Sequence, residues 1–168
     1  KNPNINKFKF FRIDINNDEK KIKKIILKYK PEIIVNFAAQ SMVSESWDNP
    51  EHWYNTNITS SSKLIKIVKS CSFVKKYINF TTPEVYGSTK NWIEESFYFN
   101  PNTPYAISRA AFDYHLLAMF KTFNFPVIFV RAANVYGPGQ QLYRIIPKTI
   151  MCIKNNKKIS LHGGGKSI

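Results

Sequence analysis

Two short segments of the chain carry side chains whose types and spacing could move a hydride and a proton. The first, Thr81–Gly87, contains two threonine hydroxyls and one carboxylate, and the second, Pro104–Arg109, contains a phenol and a guanidinium. The first segment follows the apolar run Tyr77–Phe80, so it lies where a parallel strand would end, and ligands of open α/β sheets bind at such strand ends. A hydroxyl, a carboxylate, a phenol and a cation within reach of one site indicate redox chemistry.

A tyrosine acts as a base only where its phenolate is stabilised. An unperturbed phenol has a pKa near 10, so its use as a base at pH 7 costs roughly 4 kcal/mol. Tyr105 follows Pro104 and the candidate caps Asn102 and Thr103, which places it at a helix N-terminus, where backbone dipoles favour negative charge. Arg109 lies on the same helix face and stays charged. Taken alone, the pair is also compatible with a packed tyrosine and a solvated arginine.

Further segments occur in the order and approximate spacing of a known family. They are Asn36–Ser41, Thr81–Gly87, Tyr105–Arg109 and Arg131–Pro138. Over nearly the whole chain they resemble the extended short-chain dehydrogenases/reductases that act on nucleotide sugars, the NAD-dependent epimerase/dehydratase family. Within that family the chain looks most like the dTDP-glucose 4,6-dehydratases, because Arg144–Pro147 resembles their Lys-Leu-Ile-Pro substrate segment.

The resemblance implies an α/β fold, a Rossmann-like doubly wound parallel sheet that is truncated, with the start of a smaller substrate-binding domain. Residues 1–135 would form the NAD-binding domain without its first βαβ unit, and residues 136–168 the beginning of the substrate-binding region. The family's glycine-rich phosphate loop should precede the strand that ends at Asp14, and no G-x-x-G-x-x-G occurs in the sequence. We therefore expect a fragment that binds NAD weakly by itself.

The resemblance also implies a role for individual positions. Those that match cofactor contacts are Asp14, Ile15, Phe37, Ala38, Ala39, Ser41, Thr56, Tyr105 and Arg109. Those that match substrate contacts are Ser41, Thr82, Asn134, Arg144, Ile145, Ile146 and Pro147, and the catalytic positions are Thr82, Glu84, Tyr105 and Arg109. In the family's reaction the tyrosine takes the proton of the sugar 4-hydroxyl while hydride passes from C4 to NAD. The carboxylate then removes the C5 proton, water leaves from C6, and the hydride returns to C6.

Four positions depart from the family pattern. Pro83 stands where the dTDP-glucose enzymes carry the Asp that protonates the departing 6-hydroxyl, and Arg109 replaces a Lys. Val135 stands where a second Asn contacts the cofactor, and Met42 where a His follows the Ser. Decarboxylation of a UDP-glucuronate-like sugar and 4-epimerisation begin with the same oxidation, so Pro83 keeps both open as alternatives. Pro83 and Arg109 together also leave open an inactive protein that binds NAD or a nucleotide sugar.

Strand and helix patterns alternate along the chain, as in a parallel α/β sheet. In the first predicted helix, Ile22, Ile25 and Ile26 recur at helical spacing with lysines opposite. The predicted strands are Phe8–Ile13, Glu32–Phe37, Lys76–Phe80, Pro126–Val130 and Lys157–Leu161. The predicted helices are Asp18–Lys30, Glu51–Ser70, Tyr105–Thr122 and Leu142–Lys154.

The net charge bears on the expected partners. The chain has 25 Lys and Arg against 11 Asp and Glu, a formal charge of +14. Clustered cations are the electrostatic footprint of nucleic-acid binding, but these lysines are spread over the outer faces of helices. We therefore expect no nucleic-acid partner, and a basic surface that attracts an anionic nucleotide sugar. The helices at Glu51–Ser70 and Tyr105–Thr122 resemble those that family members pair in dimers, which implies a homodimer.

Metal-binding and targeting signals are weak in this sequence. Cys71 and Cys152 lack paired metal spacing, and the three histidines form no ligand pair, so no metal site is expected. No secretory segment is evident, and no apolar run approaches the length of a membrane span. We therefore predict a cytoplasmic protein with reduced thiols and no membrane partner.

Overall fold

A three-stranded parallel sheet organises the protein, whose computed structural model describes residues 7–160. The strands lie side by side in chain order: β1 is Ile33–Asn36, β2 is Lys76–Thr81 and β3 is Val127–Arg131. The register places Asn36 beside Asn79. The parallel α/β class is confirmed, and the three central strand predictions agree with β1, β2 and β3 to within two residues at either end.

Residues 7–160 contain five α-helices. They are α1 Glu19–Tyr29, α2 Pro50–Tyr54, α3 Ser61–Lys69, α4 Pro104–Phe123 and α5 Ile145–Lys154. The predicted helix over 51–70 is interrupted, because the π-helical segment Asn55–Ser60 joins α2 to α3. The hydroxyl of Ser61 donates to the carbonyl of Thr56 at 3.0 Å and ties the end of this segment to its beginning. Such π segments occur often at functional sites.

One face of the sheet packs against the helices. Tyr77 of β2 is fully buried there, and α4 contributes Phe112 and Leu116 to the same layer. Removal of this apolar surface from water is the main force that holds the helices on the sheet. The buried cluster comprises Ile26, Ile65, Ile67, Val68, Cys71, Val74, Tyr77, Phe112, Leu116 and Phe125.

Among residues 7–131, no helix covers the opposite face of the sheet. Ile33, Val35 and Ile128 point to it and are between 42% and 54% exposed. A doubly wound sheet carries helices on both faces, and the described residues around β1, β2 and β3 supply them on one.

Two strand predictions are wrong as far as the described residues extend. Residues 8–13 form no strand, and Phe8 and Phe10 are 65% and 76% exposed. A strand needs a neighbour to satisfy its backbone groups, and none of the described strands lies beside this segment. Residues 157–160 also form no strand, while Leu161 lies outside the described residues. Helix α5 begins at Ile145, three residues after the predicted start at Leu142.

The chain divides into two compact units, Lys1–Arg131 and Ala132–Ile168. The first contains the sheet and α1 to α4, and the second contains α5. In the second unit the Lys148 ammonium donates to the carbonyl of Ser160 at 3.3 Å. The assignment of residues 1–135 and 136–168 to two functional domains stays a prediction.

Candidate active site

A cleft of about 710 Å³ opens beside the carboxyl end of β1. Five residues that were predicted to contact the cofactor line it: Asp14, Ile15, Ala38, Ala39 and Thr56. The remaining lining residues are Ile13, Asn16, Ile22, Gln40 and Leu64. The cleft has the size of a small-molecule or cofactor pocket and lies at a strand end, where open α/β sheets bind ligands.

A polar turn forms one wall of this cleft. The Asp14 carboxylate accepts hydrogen bonds from the backbone N–H of Asn16 at 2.8 Å and from the side-chain amide of Asn17 at 2.7 Å. The Asn16 amide donates to the Thr56 hydroxyl at 3.0 Å, so it joins the turn to the π segment. The oxygen of the Asn16 side-chain amide is buried and has no hydrogen-bond partner among the described residues. Sequence reasoning missed Asn16, because an asparagine in a polar turn carries no distinctive signal.

A buried asparagine holds the loop that follows β1. Asn57 is fully buried, and its carbonyl oxygen accepts from the backbone N–H of Gln40 at 2.7 Å. Its amide donates to the carbonyl of Gln40 at 3.0 Å and to the hydroxyl of Ser108 at 2.8 Å. The loop beside the cleft is thus tied to α4 close to Tyr105. Asn57 was not among the predicted site residues, although it directly follows Thr56.

The other predicted contacts in this loop lie beside the cleft and do not line it. The Phe37 ring stacks on that of Phe80 with 4.1 Å between the centroids. The carbonyl of Ser41 accepts from the Trp53 indole N–H at 3.0 Å, which fixes the loop against α2. Met42 has a φ of 75°, which is uncommon for a residue with a side chain and costs strain energy.

The segment after β2 forms a 3₁₀ turn, Pro83–Tyr86, that presents Glu84. The hydroxyl of Thr82 accepts from the backbone N–H of Glu84 at 3.3 Å and caps the turn. Partial burial raises the pKa of the Glu84 carboxyl above its ordinary value, although the residue as a whole is exposed to solvent. A carboxyl group with a raised pKa is a stronger base once it is ionised. The turn ends at Gly87, whose φ of 72° suits a glycine.

Tyr105 lies in the first turn of α4, as the sequence predicts. The side chain of Thr103 caps the helix and accepts from the backbone N–H of Ala106 at 3.1 Å. Pro104 occupies the first turn, where its missing N–H costs no hydrogen bond. The backbone N–H of Tyr105 donates to the hydroxyl of Ser46 at 3.2 Å. The phenol is therefore carried by a capped helix end that the Ser46 turn holds in place.

Arg109 lies deeper than its predicted role would suggest. The residue is 4% exposed, and its guanidinium donates to the backbone carbonyl of Phe80 in β2. Its Nε is buried without a partner among the described residues. The guanidinium thus braces α4 against β2. Burial raises the pKa values of the neighbouring Tyr77 and Asp113, and the Arg109 charge opposes this effect in part. Contact of Arg109 with a cofactor stays a prediction.

Asp113 is a buried carboxylate that sequence reasoning missed. It is fully buried on α4, one helical turn after Arg109. One oxygen accepts from the Thr81 hydroxyl at 2.9 Å and from the Arg131 guanidinium at 3.2 Å. The other accepts from the Asn79 amide at 3.3 Å. Burial raises the pKa of the Asp113 carboxyl against the opposing effects of the Thr81 hydroxyl and the two arginine charges. The available signal was the single acidic residue of α4, which stands between two aromatic residues, Phe112 and Tyr114.

The remaining predicted contacts lie in the second unit, where Asn134 is exposed. Arg144 precedes α5 with extended backbone, and the side chains of Ile145 and Ile146 are exposed in its first turn. Pro147 is half-buried in the same turn. The apolar segment 145–147 therefore forms the first turn of a helix, in which the side chains of Ile145 and Ile146 are exposed to solvent.

Residues 7–160 contain no group of three or more His, Cys, Asp or Glu side chains that could hold a metal ion. No helix within that range is long and apolar enough to cross a membrane.

A parallel α/β sheet with a cleft at its strand ends is a Rossmann-like fold of the kind found in the short-chain dehydrogenases/reductases. The chain belongs to the family described as GDP-mannose 4,6 dehydratase, which matches residues 1–168. The predicted membership of the extended, NAD-dependent epimerase/dehydratase group is thereby confirmed.

Similar proteins include dehydratases and epimerases. The dTDP-D-glucose 4,6-dehydratase of Dictyostelium discoideum is 35% identical, with 95% of this chain and 39% of the relative covered. The crystal structure of dTDP-glucose 4,6-dehydratase from Bacillus anthracis str. Ames in complex with NAD is 32% identical, with a TM-score of 0.80 over 98% of this chain and 49% of that one. For UDP-N-acetylglucosamine 4-epimerase from Methanobrevibacter ruminantium M1, in complex with UDP-N-acetylmuramic acid, identity is 28% and the TM-score 0.86, over 98% and 53%. The chain thus spans about half the length, or less, of these proteins.

Proposed function

We propose that the protein is an NAD-dependent nucleotide-sugar 4,6-dehydratase that oxidises the sugar at C4 and eliminates water across C5 and C6. The observation that carries this proposal is the arrangement around α4. Its first turn presents Tyr105, and the turn that presents Glu84 packs against the same helix. Both groups belong to the unit whose cleft follows β1. One compact unit thus carries a cofactor-sized cleft, a phenol and a carboxylate.

The residues of the cleft fit NAD. The Asp14 carboxylate and the Thr56 hydroxyl supply polar groups, while Ile15, Ala38 and Ala39 supply small apolar surface. The buried carbonyl oxygen of Asn16 is an acceptor without a partner among the described residues, as expected of a group that meets a ligand. When bound, NAD would accept hydride from C4 of the sugar and later return it to C6. Phe37 and Ser41 would extend the binding surface along the loop.

Tyr105 acts in this proposal as the base for the 4-hydroxyl. Tyr105 lies in the first turn of α4, and the helix dipole favours negative charge at that end of a helix. The buried Arg109 adds positive charge one turn along the helix without contact with bulk water. In the proposal Tyr105 takes the hydroxyl proton as the C4 carbonyl forms. Thr82 and Ser41 would hold the sugar beside it.

Glu84 acts as the base for the second step. The new C4 carbonyl acidifies C5, and the Glu84 carboxylate removes that proton as the C6–O bond breaks. The carboxylic acid formed can then give its proton to the departing 6-hydroxyl, which Pro83 cannot do. The protein takes two protons from the sugar, one from the 4-hydroxyl and one from C5. Two protons are given back, one to the departing hydroxyl, which leaves as water, and one to C5, so the reaction is balanced. A single carboxylate would thus serve as base and acid in turn.

The finer features of this proposal concern partners and location. Asn134 and the helix start at 144–147 would contact the nucleotide sugar, in keeping with the exposed Arg144, Ile145 and Ile146. On α4, Ile107 and Tyr114 are 43% and 46% exposed, which is consistent with a homodimer formed through this helix. We also propose a cytoplasmic location, because Cys71 and Cys152 are both free thiols.

The second candidate is a 4-epimerase or a UDP-glucuronate decarboxylase. Pro83 favours it, because neither reaction needs an acid for a departing 6-hydroxyl. The similarity to a UDP-N-acetylglucosamine 4-epimerase supports the same alternative. An inactive protein that binds NAD or a nucleotide sugar is the third candidate, and its mark would be binding that the change Tyr105→Phe leaves unaffected.

Product masses separate these candidates. The full-length protein is incubated with NAD and with dTDP-glucose, UDP-glucose, GDP-mannose or UDP-glucuronate, as a test of the assigned proton transfers. We expect one of the glucose or mannose nucleotides to lose about 18 mass units, and Glu84→Gln to abolish that loss. A loss of about 44 units, or a changed sugar of unchanged mass, would assign a decarboxylase or an epimerase. Binding without turnover would assign the third candidate.

A further inference from the structure

The Asp113 carboxylate lies at the junction of three elements. It belongs to α4 and binds Thr81 at the end of β2 and Arg131 at the end of β3. Strand pairing sets Thr81 directly beside Arg131, so both reach the same carboxylate from adjacent strands. Asn79 binds the second oxygen and itself accepts from the Asn36 amide at 3.0 Å. All the described groups that face this carboxylate are donors or cations.

Arg131 extends this junction to the turn that carries Glu84. Its guanidinium lies between 5.0 and 5.5 Å from the ring centroids of Tyr86, Phe97 and Phe99. Tyr86 closes the 3₁₀ turn, and its hydroxyl is fixed by the backbone of Ser96 at 3.0 and 3.1 Å. Asp113 therefore orients a cation that packs against the turn, and the same carboxylate holds Thr81, where the turn leaves β2.

A buried carboxylate such as that of Asp113 contributes little to the free energy of unfolding. Buried ion pairs lose most of their attraction to desolvation, and apolar replacements of similar volume are often as stable or more stable. Such pairs are best attested where a unique geometry is required. The geometry that Asp113 defines is the position of the segment Thr81–Tyr86 relative to α4.

Tyr105 is held by a different set of contacts. Its backbone N–H donates to Ser46, and Ser108, one turn on, bonds to Asn57, which carries the loop at Gln40. None of these bonds involves Asp113 or Arg131. The backbone at Tyr105 is thus tied to the cleft side of the site, while Asp113 braces the turn that carries Glu84 through Thr81 and Arg131.

We propose that Asp113 is a positioning residue for the elimination step: it holds the Glu84 turn against α4 and is dispensable for oxidation at C4. This role rests on the proposed function, since it assigns Tyr105 and Glu84 to successive proton transfers. Displacement of a reacting group by about 1 Å can cost 100-fold in rate. Loss of Asp113 should therefore uncouple the two steps, so that the sugar is oxidised normally and eliminates slowly.

The test compares the two steps in one reaction. The full-length Asp113→Asn variant, with NAD bound, is mixed with a smaller amount of the active nucleotide sugar, so that each protein molecule reacts at most once. Cofactor absorbance near 340 nm is followed together with product mass. We expect oxidation within about threefold of the unaltered protein and water loss slower by on the order of 10- to 100-fold, so that reduced cofactor accumulates. Ser108→Ala is the matched control variant. It removes the hydrogen bond between Ser108 and Asn57, on the side of the site that holds Tyr105, and should slow the oxidation at C4 instead of the water loss.

Each outcome bears on the proposal. An equal decrease of both rates in Asp113→Asn would show a structural role only and would overturn it, as would unchanged water loss. If that variant does not fold, Thr81→Val removes one donor to Asp113 and should produce the same imbalance to a smaller degree. Rates that fall equally in Thr81→Val would also overturn the proposal. If the unaltered protein neither reduces cofactor transiently nor removes water from any of the sugars, the proposed function itself fails, which is a different result from a functional enzyme with coupled losses.

Discussion

The turn that carries Glu84 ends at a glycine whose backbone conformation other residues adopt only with strain. Gly87 has φ 72° and ψ −160°, a region that is essentially reserved for glycine. A Cβ at this position would approach the backbone carbonyl oxygen of Asn100 to 2.3 Å. That contact lies well inside the separation of real Cβ atoms, and the obstacle is backbone, so either the turn or the Asn100 segment must move.

The cost of Gly87→Ala can be worked from these two effects. Backbone strain contributes about 1–3 kcal/mol. Displacement of Asn100 weakens the hydrogen bond from its N–H to the carbonyl of Val85, which is 2.9 Å long, and a lost backbone hydrogen bond costs about 1 kcal/mol. The sum is a loss of about 2–4 kcal/mol in the free energy of unfolding.

Two other glycines supply matched controls for this substitution. Gly139 has a φ of 85° but would meet nothing within 4 Å, and Gly137 has neither a positive φ nor a neighbour within that distance. Urea titration of the three alanine variants should therefore give the largest loss at Gly87, a smaller one at Gly139 and almost none at Gly137. An equal loss at Gly87 and Gly137 would refute the reasoning about the turn.

Further changes test other parts of the site. Thr103→Ala removes the cap of α4 and should cost about 1 kcal/mol, whereas Thr122→Ala in the last turn should cost nothing; equal melting temperatures for the two variants would contradict the capping role. Because the pKa of Glu84 is raised, water loss should increase as the pH rises through a value above that of an ordinary glutamate; a profile with its midpoint at the ordinary value, or one retained in Glu84→Gln, would exclude this carboxyl. Tyr105→Phe should slow cofactor reduction on the order of 10²- to 10⁴-fold, and a rate within tenfold of the unaltered protein would exclude the phenol as the base.

The sequence was sufficient for the parts of the fold that follow from local pattern. Strands β1, β2 and β3 are short apolar runs that end in polar residues, and α1 and α4 show helical spacing or caps. Residues 8–13 have the same apolar pattern, but they form no strand because pairing depends on a neighbour that pattern cannot reveal. The π segment at 55–60 was also unpredictable, since it depends on where a helix must shift its register to bury Asn57.

In the candidate site, too, some residues could be predicted from the sequence and others could not. Asp14 and Thr56 were predicted from a resemblance of motifs, and the structure brings them to one cleft. Asn16, which joins them, has no signal apart from its position in space. Asp113 was equally hidden, because its importance arises from Thr81 and Arg131 on two separate strands. Residues that act through long-range contacts become visible only when the chain is folded.

The most direct test of the central claim follows the hydride itself. dTDP-glucose carrying deuterium at C4, with UDP-glucose labelled in the same way in parallel, is incubated with the full-length protein and NAD, and the product is examined by mass and by NMR. The proposed function predicts a product lighter by about 18 mass units that retains the deuterium, now at C6, and product formation slower on the order of 10²- to 10⁴-fold with Tyr105→Phe. Deuterium that remains at C4 of a sugar of unchanged mass, or a product that forms equally well with Tyr105→Phe, would contradict it.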